Sequence, residues 1–207
     1  MNKLAKTLFI CLILMVSLAL SAAPVLVKMQ TNRGDIYLEL YPEKAPLTVA
    51  NFTQYIKNGF YTDTIFHRVI SNFMIQGGGY DQDLVRKNTN PPIQNEAGNG
   101  LKNLRGTIAM ARTNDPHSGT SQFFINVVDN PALDFTGQQN SRTWGYAVFG
   151  KVVDGMDVVD EIKLTPTGPN PPFRSDVPIK TIKIESMSVI DKLPSDEPKA
   201  AEEPTQQ

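Results

Sequence analysis

The sequence predicts a mainly β fold, an antiparallel barrel or sandwich that carries two helices. Short runs of alternating apolar and polar residues recur along the chain, and just two windows show helical spacing. Strand and helix do not alternate in the rhythm of parallel βαβ units.

The elements follow in order. Val25–Thr31 and Asp35–Leu40 alternate apolar and polar residues around the turn chemistry of Asn32-Arg33-Gly34, which predicts an opening hairpin. Pro46 suits a first helical turn, Val49, Phe52, Tyr55 and Ile56 recur at helical spacing, and Gly59 suits the stop. Ile65–Gly79 reads as two apolar strands. In the first, period 2 puts Phe66, Arg68 and Ile70 on one face; in the second it puts Met74 and Gln76 together.

Asp81–Arg105 is polar and rich in Asn, Gly and Pro, so it reads as a long loop; a loop of that length in a compact domain is functional or covers something. Strands resume at Thr107–Ala111, Gln122–Val128 and Ala147–Val153. Asp154–Leu164 has a helical pattern built on Val158, Val159 and Ile162, and Pro169–Pro178 reads as an extended proline-rich connection. Ile179–Ile190 alternates strictly and is expected to be the closing strand.

The two ends of the 207-residue chain stand apart from this pattern. Lys3 and Lys6 precede an apolar run from Leu8 to Leu20 and the small residues Ser21, Ala22 and Ala23, so residues 1–23 read as a secretory signal peptide. The run is shorter than the ~20 residues a spanning helix needs. The expected location is therefore periplasmic, with secreted or signal-anchored protein as the alternatives. No stable membrane insertion is expected after cleavage. Cys11, the sole cysteine, lies inside that run and leaves the mature chain without a thiol.

Residues 191–207 hold three prolines, five acids and two lysines, and no large apolar residue after Leu193; they read as a disordered tail. Between these ends lies one domain, residues 24–190, with enough chain for a real core. The whole chain carries 20 basic and 21 acidic residues, so it offers no electrostatic footprint for nucleic acid.

The familiar catalytic patterns are missing. The two histidines, His67 and His117, do not sit at metal-ligand spacing. Ser121 lacks the G-x-S-x-G elbow, and Gly77-Gly78-Gly79 lacks the sequence context of a phosphate cradle. His67 is expected to be structural, hydrogen-bonded to nearby backbone. What remains is Arg68 among apolar side chains, with Gln76 close by, and Gln122 beside the aromatic pair Phe123-Phe124. A charge in apolar surroundings needs a reason. The reason these residues suggest is a ligand apolar on one side with an amide on the other: a proline-containing peptide.

FHRVISNFMIQGG (Phe66–Gly78), RGTIAMAR (Arg105–Arg112), SQFFI (Ser121–Ile125) and GYAVFGKVVDGMDVVD (Gly145–Asp160) together resemble the cyclophilin family of peptidyl-prolyl cis-trans isomerases, and among them the exported bacterial members. The similarity runs from about Val25 to Ile190, in family order and spacing. It implies a closed eight-stranded antiparallel β-barrel capped by two α-helices, with the site in a groove on the outer wall.

It further implies that Arg68 is the catalytic arginine, supported by Gln76 and Phe73. Met74, Phe124 and Leu133 would complete the proline pocket with Phe73. Ala111 and Arg112 would edge the groove mainly through backbone, Gln122 would face it, and Tyr146 stands where many members have histidine. Ala132 occupies the position of a tryptophan that cyclosporin-like ligands use, so weak sensitivity to them is expected. The implied partners are proline-containing unfolded or partly folded exported proteins; a monomer is the default expectation, and bond rotation, which makes and breaks no bond, is expected to need no metal or organic cofactor. Two alternatives use less of this chemistry: a non-catalytic proline-peptide binding module or envelope chaperone, and an envelope interaction protein acting through its tail.

Overall fold

The structure, a computed structural model, describes residues 23–194; the expectations for residues 1–22 and 195–207 lie outside the described residues. Eight of its strands close into an antiparallel barrel and two form a separate hairpin.

Strands β1 (Val25–Thr31) and β2 (Gly34–Leu40) form the expected hairpin, in unbroken register from Val25 opposite Leu40 to Thr31 opposite Gly34. Helix α1 (Pro46–Lys57) begins where Pro46 predicts. Its first turn has no acidic residue and no side-chain cap from Ala45. Glu96, far along the loop, supplies that cap: its carboxylate accepts the Leu47 and Thr48 backbone N–H groups at 3.0 and 2.8 Å. These are the orphan donors every helix start presents, and a carboxylate is the group they favour.

Strands β3 (Thr64–Ile70), β4 (Met74–Asp81), β5 (Thr107–Met110), β6 (Phe123–Asn126) and β7 (Val148–Asp154) follow, then helix α2 (Met156–Lys163). The closing strand β10 starts at Lys183 and runs to Ile190. The order around the barrel is β1-β10-β3-β4-β6-β5-β7-β2, with β2 returning to β1, so no strand of the ring is left with a free edge. Among the described residues no helix is long and apolar enough to cross a membrane.

Inward side chains of the eight barrel strands fill the barrel, among them Met29, Ile36, Leu38, Phe66, Ile75, Ile108, Phe123 and Phe149. Both helices add to the same core, α1 through Val49, Phe52, Tyr55 and Ile56 and α2 through Val159 and Ile162. Phe52 anchors α1 with its ring 5.1 Å from Tyr61, 5.1 Å from Phe149 and 5.5 Å, edge-on, from Phe123. The interior is thus packed solid, and a ligand site must lie outside it.

Two expectations are corrected. The segment read as a proline-rich connection folds as a hairpin, β8 (Thr167–Asn170) with β9 (Phe173–Pro178). Phe66, Arg68 and Ile70 do not share a face either. Phe66 points into the barrel, whereas Ile70 packs in the outer apolar cluster. The cause is a bulge: Phe66 pairs with Gly77 and Arg68 with Gln76, so His67 is an extra residue opposite nothing. A bulge shifts the alternation by one and re-aims the side chain that follows it.

Candidate functional site

Outside the barrel, one face carries a second apolar cluster of Met74, Ala109, Ala111, Phe124 and Val148, with Ile70, Phe73, Leu101, Leu133 and Tyr146 packed around it. Strand alternation puts it there. Ile75 points inward between outward Met74 and Gln76, and Phe123 and Ile125 point inward around outward Phe124. The cluster leaves a hollow of about 130 Å³, lined by Arg68, Phe73, Met74, Gln76, Ala111, Arg112, Phe124, Leu133 and Tyr146. Met74 and Phe124 are buried and form its floor, while Phe73 and Leu133 are half-buried walls.

Every residue expected from the sequence to act on or bind the peptide lines this hollow except Gln122. That residue lines the adjoining depression of about 180 Å³, with Tyr80, Arg86, Thr113, Ser118 and Thr120. The two spaces share a wall, because Gln76 Nε2 donates to Gln122 Oε1 at 2.9 Å. Gln122 can lie there because Gly79 has no side chain: a Cβ at that position would stand 2.4 Å from Gln122 Cγ.

Arg112 takes part through its side chain more than the expected backbone. Its guanidinium stacks 4.3 Å over the Tyr146 ring, and Nε donates to the Gly145 carbonyl at 2.9 Å. Nη2 donates to the Ser141 carbonyl at 2.6 Å. Tyr146 in turn meets Phe124 edge-on at 5.6 Å. The wall on this side is therefore a locked stack of guanidinium, phenol and phenyl.

The opposite wall is fastened by asparagines that the sequence reading passed over. Asn130 Nδ2 donates to the Phe73 carbonyl at 2.8 Å and to Asn126 Oδ1 at 2.7 Å. Asn103 Nδ2 donates to the Leu133 carbonyl at 3.0 Å, and Asn126 Nδ2 to Asn103 Oδ1 at 3.2 Å. All three are buried, and buried amides persist where their hydrogen bonds are met. A signal existed: Asn126 ends an otherwise apolar strand, where asparagine is disfavoured without a partner.

Arg68 stands at the rim, its side chain 38% exposed, and the single carboxylate within ion-pair distance among the described residues is Asp176 on β9, with Oδ2 3.7 Å from Nε. Neighbouring His67 is buried between Tyr80 and Phe173, with ring centroids at 4.6 and 5.3 Å. Among the described residues its Nδ1 has no partner of hydrogen-bonding geometry, so packing on the two rings holds the imidazole, with the Ile65 backbone adding a hydrogen-bonding contribution of the expected kind.

Burial first, and then the Arg68 charge, push the His67 pKa from 6.5 down to about 4, against a weak opposing pull from the Ile65 backbone. Between these values the unfolded chain binds the proton and the folded one does not. Stability present above pH 6.5 is therefore lost as the pH falls toward 4, by about 3 kcal/mol at most. Urea midpoints at pH 7 and 4.5 are expected to fall further for the wild type than for His67→Phe; equal falls would show that His67 is not the group responsible.

Comparison with known proteins points to one family. The family model described as cyclophilin type peptidyl-prolyl cis-trans isomerase/CLD matches residues 26–205. The chain is 56% identical over 164 residues to peptidyl-prolyl cis-trans isomerase B of Escherichia coli K12, covering 79% of this chain and 99% of that one. It is 54% identical over 166 residues to peptidyl-prolyl cis-trans isomerase A of Dickeya dadantii, covering 80% and 85%. The crystal structure of a Cryptosporidium parvum cyclophilin type peptidyl-prolyl cis-trans isomerase in the presence of the dipeptide Ala-Pro superposes with a TM-score of 0.66 at 28% identity, covering 81% of this chain and 99% of that one.

Proposed function

This chain belongs to the cyclophilin-type peptidyl-prolyl cis-trans isomerase family, and we propose that it accelerates X–Pro rotation in exported proteins by setting the Arg68 guanidinium against the twisted amide. The observation that carries the reading is a guanidinium at the rim of an apolar hollow whose floor is Met74 and Phe124.

Rotation about an X–Pro bond must break amide conjugation, against a barrier of roughly 18–20 kcal/mol, and takes tens to hundreds of seconds unaided. No bond is made or cut, so neither nucleophile nor proton shuttle is needed. As the bond twists, the prolyl nitrogen pyramidalises and regains a lone pair. A donor aimed at that nitrogen binds the twisted state better than the planar one, which is the differential binding that lowers a barrier. Arginine suits the task because it stays charged and presents a fixed fork of donors. The proline ring would rest on Met74 and Phe124 between Phe73 and Leu133, while Gln76 and Gln122 offer amides to the peptide backbone.

Export rests on the pattern of residues 1–23, with residues 24–190 as the folded catalytic unit and residues 191–207 as its acidic extension. Clients would be proline-containing chains that fold outside the cytoplasm, met by a monomer. Two measurements test the reading. Isomerisation of a proline tetrapeptide should be accelerated, and mass spectrometry of the protein from the cell envelope should show a start near Pro24. Peptide binding without faster cis-trans exchange would favour a binding module instead.

Ala132 is exposed on the short 3-10 turn Pro131–Leu133, directly before the pocket leucine. With no aromatic there, cyclosporin is expected to inhibit weakly. Ala132→Trp should tighten its binding roughly tenfold or more, the equivalent of about 1.4 kcal/mol from one buried aromatic contact. Tight inhibition of the wild type would remove this account of the position.

A further inference from the structure

We infer that Asp176, on a hairpin outside the barrel, is a positioning residue that holds Arg68 ready for the substrate; this rests on the catalytic reading of Arg68. The hairpin is pinned against the outer side of β3 at two points. Phe173 packs on His67 and Tyr80, and Val177 packs with Ile65 and Leu84. Asp176 sits between these anchors, and Arg68 is the residue after His67, so the two docked side chains set the distance between carboxylate and guanidinium.

The local backbone is built around that side chain. Gly168 pairs with Val177 and Asn170 with Phe173, which leaves β9 two residues longer than β8 between the same ladder positions. Asp176 lies in this irregular stretch with φ +67°, in the left-handed region where glycine is most comfortable. Aspartate tolerates the region better than most residues but gains nothing from it. A non-glycine side chain held there, its carboxylate turned toward the arginine, points to a function for the carboxylate.

The geometry also suits a helper more than a competitor. The ion pair is to Nε, the donor nearest the chain, which leaves the two terminal nitrogens of the fork for a ligand. Arg68 is long and more than a third exposed, so an anchor at Nε reduces the freedom its terminal end must lose in the transition state.

The test is kcat/KM on a proline tetrapeptide for Asp176→Asn in two backgrounds, wild type and Arg68→Ala, followed by NMR exchange so that slow variants remain measurable. In the wild-type background a loss of roughly three- to tenfold is expected, in kcat with KM nearly unchanged, as suits a partly screened ion pair. In the Arg68→Ala background the same substitution should do nothing more, because its partner is gone. Asp176→Gly should lose the same activity while its unfolding midpoint stays at or above that of the wild type. Equal losses in both backgrounds, no loss, or a gain would each overturn the inference. Full activity in Arg68→Ala alone would instead overturn the catalytic reading on which it rests.

Discussion

Arg68→Ala is expected to lower kcat/KM for a proline tetrapeptide by on the order of 10²–10³-fold, the scale seen when one preorganised donor to a developing charge is removed. Each tenfold corresponds to about 1.4 kcal/mol of barrier, so the substitution removes roughly 3–4 kcal/mol of transition-state stabilisation. The loss should fall on kcat more than on KM, since the apolar hollow that grips the proline ring survives without Arg68. The fold should survive too. The side chain is 38% exposed, and its pairing with Asp176 at 3.7 Å is of the exposed kind that contributes at most about 1 kcal/mol. Circular dichroism and urea midpoints near those of the wild type, beside collapsed turnover, are the expected pair of results. Arg68→Lys should recover only part of the rate, because an ammonium keeps the charge and loses the planar fork. Undiminished turnover in the alanine variant would end the proposed mechanism.

The strands, both helices and nearly all of the hollow's lining could be read from the chain because each depends on local periodicity or on a long motif. Met74, Gln76 and Phe124 face outward by simple alternation, and α1 starts at Pro46 and stops before Gly59 as expected. What stayed hidden depends on partners distant in sequence or on broken periodicity. Period 2 puts Phe66 and Arg68 on one face, because nothing local announces that His67 is an extra residue between the pairs Phe66–Gly77 and Arg68–Gln76.

The β8-β9 hairpin was masked by Pro169, Pro171, Pro172 and Pro178, which remove the donors a strand normally needs. A two-stranded ribbon with few paired positions can do without them, and the docking of Phe173 and Val177 on β3 gives it its place. Glu96 and the three buried asparagines looked like ordinary loop polarity. Their meaning lies in the α1 N–H groups and the Phe73 and Leu133 carbonyls they meet, each of them at least thirty residues away except within the asparagine chain itself.

The triple glycine Gly77-Gly78-Gly79 shows the same limit and yields the second large effect. Without phosphate-loop context it carried no clear meaning in the sequence, and the structure explains it by close approach. Gly78 has φ +78°, and a Cβ built on it would stand 2.8 Å from both Phe123 Cε1 and Tyr61 Cε1. Neither ring can yield. Tyr61 is buried with its hydroxyl donated to the Ser121 carbonyl at 2.8 Å, and Phe123 is wedged edge-on against Phe52, Tyr61 and Phe66. Gly78→Ala is therefore expected to combine a left-handed backbone penalty of about 1–2 kcal/mol with an overpacking penalty of about 1–3 kcal/mol. The sum is a large share of the 5–15 kcal/mol that typically holds a domain together. Urea unfolding should show a midpoint shift of that size with little change in slope. The damage should also reach the site, since displaced Phe123 drags on Phe124 and on Gln122, whose amide holds Gln76. Gly59→Ala is the control: it shares the positive φ, but its Cβ would meet nothing within 4 Å, so it should show the backbone penalty alone. Equal destabilisation by the two substitutions would mean that the rings give way, and that the glycine is required for its backbone and not for the space it leaves.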